Sequence, residues 1–313
     1  MTTAEAQAEP VAAQAAAPAA VRRQQRSLWR DAWRRFRNHK LAVVGSIVYL
    51  SLIVMTLAGP LVWRTAINDI DFAASNQFSA RHPLGTDDLG RDVLARILWG
   101  GRVSIAVGLC AMLVAITIGV TVGALAGFFG GWLDTALSRV IEVFLSVPQL
   151  PLLLVVVYLY RTALVQAVGP EIGVFVLIVG VIGALNWMPT ARLVRAGFIT
   201  QREREYVEAA RCIGAGPFRL IRQILPNTLS PIIVAGTLSV GSSMLAESTL
   251  SFLGLGFPPD TPTWGRLLYD ALNFLTISPS LALFPGLMIF LAVLSINFIG
   301  DGLRDALDPR RTL

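Results

Sequence analysis

Side chains able to do chemistry are few in this 313-residue chain, and they stand far apart. The two cysteines, Cys110 and Cys212, lie in an apolar run and in an arginine-rich loop, without disulfide or zinc-site spacing. The two histidines, His39 and His82, are too distant in sequence for a histidine metal centre. Lys40 is the only lysine and follows no glycine run, so the phosphate loop G-x-x-x-x-G-K-S/T is absent. Neither a G-x-S-x-G elbow nor H-E-x-x-H occurs. Asp87, Asp88 and Asp92 cluster near Arg91 and Arg96 without the spacing of a calcium loop, and read better as helix capping and mutual neutralisation. Glu142 and Glu247 sit within long apolar runs, where a carboxylate can relay protons. Both lie near the ends of their runs, where an arginine, a backbone group or water can satisfy them. The expectation is a chain without catalytic residues, metal or cofactor of its own.

The elements that carry these residues are unlike those of a soluble domain. Apolar residues make up 54% and charged residues 15%, against roughly 25% charged in soluble proteins. The mean hydropathy is +0.63. A bilayer core needs about 20 apolar residues in helix. Six runs qualify: Leu41–Trp63, Val103–Phe129, Val140–Tyr160, Ile172–Met188, Pro231–Phe252 and Leu281–Ile299. Glycines within them let helices approach closely. Pro148, Pro151 and Pro189 lie in or beside spans, and a broken third span is tolerated where it faces a cavity. The expected class is an all-α integral membrane protein with six transmembrane helices.

Arginine placement sets the orientation. Residues 21–40 hold seven Arg, one Lys and one Asp, which places them in the cytosol. Six crossings then put the 189–230 loop, with seven Arg against three Glu, and the tail with Arg304, Arg310 and Arg311 on the same side. Loop 64–102 is balanced, and 253–280 has Arg266 against Asp260 and Asp270. Both termini are therefore expected in the cytosol, and the basic charge needs no nucleic acid to explain it. Residues 1–20, rich in Ala, Gln and Pro, read as a disordered tail. Residues 26–40 read as a basic helix on the lipid surface, with Leu28, Trp29, Trp33 and Phe36 toward lipid. Residues 103–300 form a five-helix core, and 301–313 a cytosolic tail.

The informative loop is 201–231, QREREYVEAARCIGAGPFRLIRQILPNTLSP. Residues 201–213 favour helix, Gly214 and Gly216 stop it, and Pro217 suits the first turn of a second helix. Phe218, Ile221 and Leu225 form an apolar stripe there, and Pro226 is expected to end it. Ala209 and Ala210 beside Glu208 leave a flat surface suited to docking. The plainer alternative is a pair of surface helices that merely tie two spans together.

EAARCIG followed by ILP resembles the EAA signature of the membrane subunits of ATP-binding-cassette importers. Glu208, Ala209, Ala210, Gly214, Leu225 and Pro226 match it. HPLGTDDLGRDVLARILWGGRVSIAVG (82–108) and ESTLSFLGLGFPPDTPTWGRLL (247–268) resemble segments of C-type dipeptide and oligopeptide permeases. The resemblance covers roughly 30–310. It implies the type I importer permease fold in a bacterial inner membrane, with coupling helices that seat in a groove on each of two cytosolic ATPases. It also implies a homologous B-type permease partner, an external binding protein and a peptide cargo, with glutathione or nickel carried by other relatives. Phe257 and Trp264, in an external loop broken by glycine and proline, are expected to contact the binding protein or to anchor at the lipid headgroups. Two rivals stand against this reading. A secondary transporter predicts mid-membrane charges and an internal repeat, and an intramembrane enzyme predicts a nucleophile–base pair or metal ligands within the spans.

Overall fold

A computed structural model describes residues 28–307. The Ala-rich stretch 1–20, the side chains of Leu28 and Trp29, and Arg310 and Arg311 lie outside the described residues. The chain is helical, with α1 Leu28–Asn38, α2 Lys40–Val62, α3 Val93–Phe129, α4 Gly131–Ser146, α5 Gln149–Val168, α6 Pro170–Gln201, α7 Glu205–Cys212, α8 Pro217–Phe252, α9 Trp264–Ala271 and α10 Ser280–Leu307. Among the described residues no strand forms, only isolated bridges between Ser79 and His82 and between Thr86 and Asp92. Among the described residues six helices (α2, α3, α5, α6, α8 and α10) are long and apolar enough to cross a membrane.

Several helices outrun the apolar stretches that mark them. α3 starts at Val93 because Asp92 caps it, its Oδ1 accepting from the Ala95 amide at 2.6 Å. Asp92 also binds Trp63 Nε1 at 3.2 Å and His82 Nδ1 at 2.7 Å, which fixes the 64–92 segment to the start of α3. Asp87 pairs with Arg91 at 2.7 Å, so the acidic cluster serves capping and neutralisation. The expected third run, Val140–Tyr160, is broken, and the third candidate span is α5, Gln149–Val168. Pro148 has no N–H for the ladder, and Val147 and Pro148 are extended (ψ 132° and 113°), separating α4 from α5. α8 corrects the expectation at Pro226: the helix runs on through Pro226 and Pro231 to Phe252. Both prolines face outward, so the carbonyls they free, one turn earlier, lie on the accessible side.

α3 and α6 form the tightest pair. A Cβ on Gly123 would lie 2.5 Å from the Ala191 carbonyl oxygen, and one on Gly127 2.6 Å from that of Arg195. Only glycine permits this approach. α1 rests on α10, with Phe36 against Gly302, while Trp33 is 62% exposed. Near α7, Asp134 of α4 pairs with Arg195 of α6, Nη2 to Oδ2 at 2.7 Å. The two ends of the bundle are thus distinct: α7 with the α7–α8 turn closes one, and α9 with the 253–263 loop closes the other.

Candidate functional site

The α7 end is built for rigidity. α7 has Glu205 and Glu208 in its first turn and Arg211 in its last, matching the helix dipole. It stops in a Schellman turn: the Ala215 amide donates to the Ala210 carbonyl at 3.0 Å and the Gly214 amide to that of Arg211 at 3.0 Å. Gly214 takes φ +83°, and nothing lies within 4 Å of where a Cβ would sit. Its glycine is therefore demanded by the backbone rather than by space. Gly216 and Pro217 then begin α8.

The inner face of this elbow is a core of its own. Val207, Ala210, Leu220 and Ile224 pack with Val194 and Phe198 of α6. Tyr206 donates to Gln201 Oε1 at 3.1 Å and accepts from Asn227 Nδ2 at 3.0 Å, tying α7 to both neighbours. The outer face presents Glu208, Ala209 and Gly214. Flanking the turn, Ile213 is 86% exposed and Phe218 80%.

The signature residues therefore divide into two groups. Glu208, Ala209 and Gly214 face outward. Ala210 is buried, Leu225 is half-buried on the inner core, and Pro226 is exposed within α8. The expected stripe of Phe218, Ile221 and Leu225 is corrected at Phe218, while Ile221 and Leu225 pack half-buried on the inner core. The buried line is Leu220, Ile224 and Thr228, one step out of phase, and it swings Phe218 to the surface. Ile213 is the exposed residue that periodicity passed over, and Phe218 the one it set on the wrong face. Their signal is position: large apolar side chains one residue either side of a Gly-Ala-Gly-Pro turn, where α7 and α8 have no room to cover them.

At the α9 end the expected outward role of Phe257 and Trp264 is also corrected. Phe257 is 2% exposed and Trp264 is fully buried. Trp264 donates from Nε1 to the Ile97 carbonyl at 3.1 Å, and its backbone amide reaches Ser104 Oγ at 3.2 Å. Gly101 leaves room for its ring, since a Cβ there would lie 2.7 Å from Trp264 Cζ2. The 253–263 loop is held by arginines. Arg161 donates to the Leu255 and Gly256 carbonyls at 2.9 and 2.6 Å, and Arg96 to the Pro259 carbonyl at 3.1 Å. Beneath the loop Glu247 is fully buried and accepts from Ser251 at 2.8 Å and Ser104 at 3.2 Å. Glu142, the other carboxylate of the apolar runs, pairs with Arg139 at 2.9 Å on the surface.

Comparison with known proteins agrees with this architecture. Residues 119–313 match the family described as binding-protein-dependent transport system inner membrane component. Residues 27–79 match the N-terminal TM domain of oligopeptide transport permease C. The dipeptide transport system permease protein DppC of Alkalihalophilus pseudofirmus is 40% identical over 91% of this chain and 90% of its own length. The glutathione transport system permease protein GsiD of Shigella flexneri is 40% identical over 92% of each chain. GsiD of Escherichia coli is 38% identical over the same shares. With six membrane helices, an EAA-type elbow at one end and family matches along its length, the chain belongs to the inner membrane components of binding-protein-dependent transport systems, the permease subunits of ATP-binding-cassette importers.

Proposed function

We propose that this chain is one half of the transmembrane path of an ATP-driven importer for di- or oligopeptides, and that the α7–α8 elbow is the handle by which cytosolic ATPases move it. One observation carries the reading: the Schellman turn at Gly214 holds Glu208, Ala209, Ile213 and Phe218 outward on a rigid, internally packed support. Large apolar side chains this exposed are the anchors a partner's pocket covers. The arginine distribution supports a cytosolic position for the elbow and both termini. The partners are a homologous B-type permease, two ATPase subunits that bind and hydrolyse ATP in place of this chain, and an external binding protein that hands over the peptide. Glutathione is the second reading of the cargo, favoured by the equal identity to a glutathione permease.

Cross-linking from Glu208→Cys or Ala209→Cys tests the handle. Both positions are expected to capture an ATPase subunit in at least one nucleotide state. Phe218→Ser is expected to weaken ATPase association about tenfold. Failure to capture an ATPase in every state, together with full association of the Phe218→Ser chain, sinks the proposal. Uptake of labelled dipeptide against labelled glutathione by the assembled importer decides the cargo.

A further inference from the structure

At the break between α4 and α5 the backbone leaves the helical conformation just before the candidate span α5. Val147 and Pro148 are extended, and Val147 is 39% exposed. Next to them Gln149 Nε2 donates to Asn186 Oδ1 at 2.9 Å, and Asn186 Nδ2 donates to Ser243 Oγ at 3.4 Å. Ser243 lies near the middle of the apolar run Pro231–Phe252, nine residues or roughly 14 Å before its end, which sets it near the middle of a core about 30 Å thick. Three helices thus bring uncharged polar side chains to one level. Beside them is a cavity of about 120 Å³ lined by Gln149, Asn186, Phe144, Leu152, Leu185 and Met188, among others.

Lipid is a poor neighbour for such a surface. Exposed extended backbone and a half-buried side-chain amide are tolerated at this depth only against protein or a water-filled passage. Gln149 is exposed and Asn186 half-buried, so protein of this chain does not cover them. The chemistry of the lining selects an occupant. No charged residue lines the cavity. A side-chain amide offers both a donor and an acceptor, the same pair a peptide group carries. The surrounding apolar walls make no demand on particular side chains.

We infer that Gln149, Asn186 and Ser243 form a mid-membrane subsite on which the peptide groups of the cargo pass, read through the backbone and without preference for side chains. This rests on the importer reading above and names the residues that serve it. Without an ion pair the subsite holds cargo weakly, as a passage must.

The test uses the complete importer in proteoliposomes, with whichever of tri-alanine and glutathione the unsubstituted complex accumulates. Gln149→Leu and Asn186→Leu are expected to slow accumulation roughly five- to tenfold through the lost hydrogen bonds. Stimulation of ATP hydrolysis by the loaded binding protein is expected to persist. In a chain carrying Cys110→Ser and Cys212→Ser, Gln149→Cys is expected to react with a charged, water-soluble methanethiosulfonate during turnover, and cargo is expected to slow that reaction. Wild-type accumulation by both leucine variants overturns the inference, and so does a Gln149→Cys chain that stays unmodified during turnover. Failure of the importer reading looks different: the unsubstituted complex then accumulates neither compound.

Discussion

Gly214 is held to glycine by conformation alone, which makes it the sharpest probe of the elbow. A β-branched residue at φ +83° is strained by about 1–3 kcal/mol, and the open space around the position means no clash adds to it. Gly214→Val should therefore fold yet redirect the turn, and ATP hydrolysis should continue with less peptide moved per ATP. A normal ratio in proteoliposomes would show that the turn does not transmit force. Glu247 makes the complementary case for a buried side chain. Glu247→Leu strips Ser104 and Ser251 of their acceptor, at a cost of about 1–3 kcal/mol, whereas Glu247→Gln keeps one. The midpoint of thermal aggregation in detergent should fall clearly for leucine and little for glutamine, and equal losses would deny the network its role. The grouping of Glu208, Ala209 and Gly214 on one elbow was legible as a motif. That Phe218 faces out and Trp264 faces in was not, because each depends on which neighbouring helix arrives to cover it.

At the scale of elements, the long apolar helices were plain from composition, while their ends and breaks came from partners distant in sequence. Asp92 extends α3 ten residues beyond its apolar run, through caps and contacts that bind the 64–92 segment. Pro226 reads as a stop in isolation, yet α8 continues because Ile224, Thr228 and Ile232 are buried on its opposite face. The short α4 is tied to α6 by a strong pair, Asp134 with Arg195, beside the packing of Ile141 on Trp187, Met188 and Ala191. The Arg195 guanidinium, through its hydrogen bond, holds the Asp134 carboxyl below its usual value. A carboxylate depressed by folding stabilises fully above its unfolded pKa, about 4, and loses that contribution as pH falls through the lower folded value. Acidification below about pH 4 should then lower the thermal midpoint of the wild type more than that of Asp134→Asn. Parallel curves for the two proteins would show that the pair does not anchor α4.

For the whole molecule, the six crossings and the class were readable from hydropathy, and the proposed sidedness rests on arginine counts. Cys212 offers a direct check, because it is exposed at the α7 end. A membrane-impermeant maleimide should leave Cys212 unlabelled in intact spheroplasts and label it in inverted vesicles. Ile277→Cys, at a 70% exposed position beyond α9 and in a chain carrying Cys212→Ser, should show the reverse, and labelling of both cysteines from one side would undo the proposed topology. α8 has a larger consequence. It begins at Pro217 beside Phe218 and ends at Phe252 under the 253–263 loop without interruption, a single rod of about 54 Å. A lever so long has two loaded ends and one equilibrium. If docking of the ATPases tilts it, thermodynamic reciprocity requires that a ligand seated on the far tip shift ATPase affinity by the same factor, with no second messenger between them.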